Sequence, residues 1–264
     1  HSTKCFALMS AEPIAAYEHA VDATAGLGLR LPKHPGPLRA LLDYLALRWA
    51  IRGLSPDAML AWPEASDPRF RAACEVLAVA GSSASFVGRA AMISIVSHGV
   101  RAMRRRGVVP DGTSVLVGLG MTLHAAGELA RGYAFTRAGV EIARRAGYPG
   151  QTAVEGAWGG VFAGVWAAPL PEVLRDVERA YLAGRDRVHS GLLALAANVW
   201  ITSSVFAAAS ADEWRAHVAR HQPLLLSVGD EHARGEIRGI ERALLALRGE
   251  SASALALDDA SETD

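Results

Sequence analysis

Glu213, His217 and His221 recur at four-residue spacing, which on a helix projects a carboxylate and two imidazoles from one face. Two imidazoles one turn apart can start a zinc site, with the carboxylate as third ligand. No fourth ligand is identifiable, and Ala211, Trp214 and Val218 offer a buried stripe that leaves the histidines facing solvent, so no metal is assigned. Arg101, Arg104, Arg105 and Arg106 could contact phosphate. They also precede Gly107 at an expected helix end, where cations complement the dipole, and no aromatics interleave with them for base stacking. Gly118-Leu119-Gly120 after an apolar run imitates a dinucleotide loop, but Leu123 fills the place of the third small residue. The chain carries no GxxxxGK[ST] phosphate loop, no kinase-type catalytic loop and no GxSxG elbow. Catalytic residues, cofactor and metal are therefore all assigned as none.

The elements that would position any site read as helices. Glu12–Leu27 places Ile14, Tyr17, Ala20, Val21 and Thr24 on one stripe. After Pro37, residues Leu38, Leu41, Leu42, Leu45 and Trp49 form one apolar face up to Gly53, as in a helix that packs on a core. Ser55-Pro56 and Asp67-Pro68 are cap-then-proline starts, the second opening Arg69–Ala80 before Gly81. Ser82–Ser85 can cap the next helix, which runs to Arg106. Further helices are expected at Ser114–Ala126, Leu129–Ala146, Thr152–Ala167, Pro171–Ala183, Asp186–Ala209, Ala211–His221 and Asp230–Leu247. Period-two alternation between turns is absent, so no sheet is expected.

Composition bounds the function. Of 264 residues, 51% are hydrophobic, so the bulk of the chain can bury a core rather than remain disordered. The 27 basic residues balance 27 acidic ones, which excludes a general nucleic-acid binder. The last 14 residues hold four acids and no base; without them 27 bases face 23 acids, a body of net +4. Cys5 and Cys74 make no disulfide framework, which fits a reducing cytoplasm. Val188–Ala211 is uncharged and nominally long enough to span a bilayer, but its serines, Asn198 and His189 favour a buried inner helix, and no membrane span is expected. The domain reading is an extension over residues 1–11 cut from a longer chain, a helical-repeat domain over 12–248, and a disordered acidic tail over 249–264.

Helix hairpins at roughly regular intervals point to an all-α solenoid of antiparallel hairpins. Leu116, Leu119, Gly120 and Leu123, then Gly132 and Gly139, resemble a tetratricopeptide unit, degenerate because its aromatics and closing proline are missing. Gly156, Gly160 and Gly164 form a further small-residue stripe that lets two helices approach closely. In that geometry the groove-facing residues of the best unit are Ser114, Val117, Met121 and His124.

The segments AGELARGYAF with AGVEIARRAG, and PLPEVLRDVERAYLAGRDRVHSGLLALAANVW, resemble the helical-repeat region behind the ATPase module of large signalling proteins. Those proteins join Ser/Thr-kinase-like, P-loop ATPase, GAF and histidine-kinase domains. The resemblance covers about residues 12–248 and implies a non-catalytic scaffold or sensor whose partners are proteins, peptides or neighbouring domains of the parent chain. The family's ATP-binding and phosphoacceptor residues have no counterpart in this chain. The alternative, from another class, is a small-molecule- or lipid-binding helical protein, or an enzyme using an internal cavity.

Overall fold

The structure, a computed structural model, describes residues 12–184, 197, 199–206, 208–227 and 231–250. Its helices are α1 (Pro13–Gly26), α2 (Pro37–Ala50), α3 (Pro56–Leu60), α4 (Pro68–Val87), α5 (Arg89–Arg106), α6 (Ser114–Ala125), α7 (Leu129–Arg145), α8 (Pro149–Ala163), α9 (Leu170–Gly184), α10 (Ala211–Ser227) and α11 (Glu231–Leu247). Residues 199–204 are also helical. No strand occurs among the described residues, so the chain is all-α; one isolated bridge joins Glu64 to Val108. No helix among them is long and apolar enough to cross a membrane. The extension over 1–11, most of the tail, and residues 188–196, 198 and 207 of Val188–Ala211 lie outside the described residues.

Starts follow the expected chemistry. Ser55 Oγ accepts from the Ala58 amide at 3.1 Å, and Asp67 Oδ1 accepts from the Arg69 amide at 2.9 Å, each satisfying a helix-end donor. The expected break at Gly81 is displaced: α4 continues through Gly81 and Ser82–Ser85, and the chain turns at Gly88. Gly88 sits at φ +131°, a conformation L side chains rarely adopt, whereas a glycine inside a helix costs only about 1 kcal/mol relative to alanine. Likewise α10 runs past His221 to Ser227 with Pro223 inside it.

From α4 to α9 each helix packs on the next, α4 also touches α6, and α6 also touches α8. The main partner of α1 is α4 and that of α2 is α5, so these two do not build the expected sequential hairpin. Two apolar cores result. One joins Tyr17, Leu47, Phe70, Leu77, Ile95, Leu116 and Phe135. The other joins Val173, Val177, Tyr181, Trp200, Trp214, Val218 and Ile240.

The glycines are positional. A Cβ built on Gly120 would meet Thr136 Oγ1 and stand 2.5 Å from the Gly132 carbonyl, and one on Gly132 would stand 2.6 Å from the Gly120 carbonyl. One on Gly139 would lie 3.2 Å from Leu116 Cβ. On α8, a Cβ at Gly156 would come to 2.5 Å from Ala180, and one at Gly160 to 2.5 Å from Val177. One at Gly164, just beyond α8, would lie 3.1 Å from Val173. All six small-residue positions expected to permit close helix approach do so. Gly159, facing the Thr136 methyl, is a seventh that spacing did not single out.

One expected face is reversed. Leu38, Leu41, Leu42, Leu45 and Trp49 are 71, 52, 54, 53 and 74% exposed, and α2 instead buries Ala40, Asp43 and Leu47. Asp43, at 3% exposure, accepts from Ser94 Oγ at 2.7 Å and Arg39 Nε at 3.0 Å, while Ser97 Oγ donates to its backbone carbonyl at 2.7 Å. The hydroxyls of α5 need acceptors, which a leucine face cannot supply. The side of α2 that goes in is the one that matches the hydroxyls of α5 and also buries Leu47.

Candidate functional site

A trough of about 810 Å³ runs along α7, α8 and α9. One wall is Tyr133, Arg137 and Glu141, which the helical repeat of α7 places one turn apart. The floor is Gly156, Gly159 and Gly160 of α8, and the other wall carries Asp176 and Arg179 of α9. Those glycines hold α8 close against its neighbours: any Cβ there would collide with Thr136, Ala180 or Val177.

The trough's charges are mostly self-satisfied. Glu141 accepts from Arg144 Nε at 2.6 Å and Arg145 Nε at 2.7 Å; these hydrogen bonds outweigh its partial burial and pull its carboxyl down to about 2. Arg179 pairs with Asp176. Arg137 lies over the Tyr133 ring at 5.9 Å, and burial raises the Tyr133 phenol above its ordinary value. A wall of fixed ion pairs and a guanidinium over a ring can hold a polypeptide by hydrogen bonds and ring contacts. The trough's lining includes no serine, cysteine, histidine or lysine.

The four expected groove residues share α6 but not one open surface. Val117 is buried: a Cβ on Gly139 would lie 3.2 Å from its Cγ2 and one on Gly159 would lie 3.6 Å from its Cγ1. It belongs to the packing of α6 on α7 and α8, which corrects its assignment to a groove. Ser114, Met121 and His124 are half-buried, and the His124 ring faces Trp166 at 6.2 Å between centroids. The trough lies instead on the helices that follow. Its sequence signal was the Gly156/Gly160 stripe, which reads as a packing seam but also leaves a floor without side chains.

Other constellations resolve structurally. Asp43, Ser94 and His98 come together from α2 and α5, yet their order is not that of a nucleophilic triad. Ser94 donates to the carboxylate, and His98 Nε2 lies 3.0 Å from Arg39 Nη2 and 3.3 Å from Asp43 Oδ1. Since a guanidinium only donates, Nε2 accepts, and no imidazole nitrogen is left to activate the serine. Burial lowers the His98 pKa, consistent with the neutral ring. Burial pushes the Asp43 carboxyl up, but the bonds from Ser94 and Arg39 outweigh it and hold the group below its ordinary range.

His221 does not face solvent and His217 is half-buried. His221 is buried with Nδ1 at 3.3 Å from the Tyr181 hydroxyl, and the His217 ring packs edge-on to Trp200 at 4.1 Å. Trp214 and Val218 are buried as expected, so the helix is covered on both counts. Glu213 caps α10: its carboxylate accepts from the Ala209 amide at 2.7 Å while Ser210 Oγ accepts from the Glu213 amide at 3.2 Å. Among the described residues no group of three or more His, Cys, Asp or Glu side chains could hold a metal ion.

Arg104, Arg105 and Arg106 occupy the last turn of α5, with Arg106 bonded to the Asp67 cap and 4.3 Å over the Phe70 ring. Gly118 and Gly120 are buried inside α6 and form no phosphate loop. Burial pushes the Cys74 thiol up to about 12, which makes it inert.

Against known proteins the chain stands apart: no family profile matches it, and no curated protein and no solved structure is significantly similar to it.

Proposed function

We propose that this chain is a non-catalytic helical scaffold that receives a polypeptide segment, of a partner or of a neighbouring domain, in the α7–α9 trough. The observation that carries this reading is the trough itself: about 810 Å³, with the glycines of α8 at its base, ion pairs along its walls, and no serine, cysteine, histidine or lysine among its lining residues. The serial packing from α4 to α9, with α6 reaching α8, supports a stack of tetratricopeptide-like hairpins, an architecture suited to extended ligands. The sequence resemblance to the repeat region of signalling ATPases and kinases is what suggests interdomain communication as the use of such docking.

Peptides selected from a displayed random library against the whole chain provide the test. Binding of the selected peptides, read by fluorescence anisotropy, should weaken about tenfold or more in Arg137→Glu, an exposed change that leaves the ion pairs in place. Selected peptides that bind Arg137→Glu as tightly as the wild type, or that protect α10 and α11 rather than α7–α9 from amide exchange, would refute the assignment.

A further inference from the structure

The uncovered face of α2 is a second, separate feature. Its five large apolar residues fall within about 100° of the helix circumference, since Leu38, Leu45 and Trp49 differ by near-whole turns and Leu41 and Leu42 flank them. At roughly 150–250 Å² for a large side chain, their exposures amount to on the order of 600 Å². That is the upper limit for an apolar patch on an ordinary monomer. Two such ridges together bring about 1,200 Å², above the roughly 1,000 Å² that a specific interface needs.

We propose that the ridge joins two copies of this chain, α2 against α2 in antiparallel register about a two-fold axis between Asp43 and Tyr44. In this register residues whose numbers sum to 87 stand at the same height along the axis. On the ridge itself Leu38 then meets the second copy's Trp49 and Leu42 meets its Leu45. The contact is self-complementary as a two-fold axis requires.

Charge permits the pairing. The chain has formal net charge zero, so copies approach without long-range repulsion. Arg39 and Arg48 flank the ridge on opposite edges, each already held by a carboxylate: Arg39 by Asp43 at 3.0 Å and Arg48 by Glu128. In the paired helices each arginine sits nine residues along the axis from its own mate, about 13 Å, which exceeds the screening length at physiological salt. Arg52 lies over the Trp49 ring at 5.7 Å and covers its outer edge. The acidic end of this chain, residues 251–264, is a poorer occupant, because it offers two leucines, Leu255 and Leu257, against five large residues.

Sedimentation of the whole chain from about 1 to 100 μM tests the pairing. The wild type should sediment with twice the 27.8 kDa chain mass, and Leu42→Asp with Leu45→Asp should raise the dissociation constant about 100-fold or more. Circular dichroism of that double variant should match the wild type, because both side chains are exposed. Register is read from single cysteines in a Cys5→Ser background, Cys74 being buried. Leu42→Cys and Leu45→Cys bring like positions within about 4.5 Å along the axis and should cross-link on mild oxidation. Leu38→Cys and Trp49→Cys leave them about 16 Å apart and should not. The inference is overturned if the wild type is monomeric throughout, including a monomer whose α2 is shielded by residues 1–11 or 251–264. It is equally overturned by a dimer that survives the double variant, or by equal cross-linking at all four positions.

Discussion

Replacing Gly120 by alanine is the sharpest test of how the middle of the chain is held together. In an open helical position this change stabilises by about 0.5–1 kcal/mol, because alanine loses less backbone entropy. At Gly120 the added Cβ meets Thr136 Oγ1 and stands 2.5 Å from the Gly132 carbonyl and 2.8 Å from the Thr136 amide. Two of these three neighbours are backbone, so no rotamer change relieves the contact. Reaching ordinary van der Waals distance moves α6 and α7 apart by close to 1 Å and thins the dispersion contacts of both. Overpacking of this kind costs roughly 1–3 kcal/mol and more where backbone must move; set against the helix-propensity gain, the net loss is about 2 kcal/mol. For a chain of this size that lowers Tm by roughly 4–8 °C. Gly81→Ala is the matched control, since a Cβ there has nothing within 4 Å and should raise stability. Urea unfolding, read as the midpoint at unchanged slope, separates the two. If Gly120→Ala proves neutral or stabilising, the close α6–α7 approach is refuted.

Three further outcomes follow from the described contacts. Stability should fall on acidification in two stages: the unfolded chain takes up a proton at His98 below its ordinary 6.5 while burial keeps the folded ring neutral, and Asp43, held below its ordinary 3.8, extends the loss at lower pH. His98→Gln should flatten the upper stage and Asp43→Asn the lower, both read from urea midpoints against pH. On α2, Leu47→Ala should cost about 2–5 kcal/mol because Leu47 is fully buried, whereas Leu45→Ala in the dilute chain should change stability by less than about 0.5 kcal/mol. Cys74 should resist a thiol reagent under native conditions and react at the rate of global unfolding, since its thiol is buried with a pKa pushed to about 12.

Local chemistry was legible in the sequence, and so was the all-α class. Ser55 and Asp67 announced their helices because a cap needs only a side-chain oxygen and the amides two or three residues on. The glycines of α6, α7 and α8 were legible because close approach requires small residues at fixed spacing whatever the partner helix is. The break at Gly88 was missed in favour of Gly81, since a glycine's φ is set by where the next helix must go. The trough was missed because a missing side chain signals both a packing seam and an open floor. The histidines of α10 were misplaced because Tyr181 and Trp200, which receive them, lie on other segments.

The orientation of α2 shows most directly why a helical pattern underdetermines a fold. Periodicity states that Leu38, Leu41, Leu42, Leu45 and Trp49 share a face, but which face is buried depends on Ser94, 51 residues from Asp43 in sequence, and on its neighbours Ser97 and His98. Turning the leucines inward would remove Asp43 from those groups, and each buried polar group left without a partner costs about 1–3 kcal/mol. The penalty would fall on Ser94 and Ser97 together, and Ala40 and Leu47, now buried, would turn outward, so the apolar gain of a leucine face is offset on both counts. At about 25 cal/mol per Å², the 600 Å² ridge left outside still represents about 15 kcal/mol per copy before the entropy of association is subtracted. No internal rearrangement recovers that free energy while the latch on Asp43 holds, so it is available to whatever docks from outside.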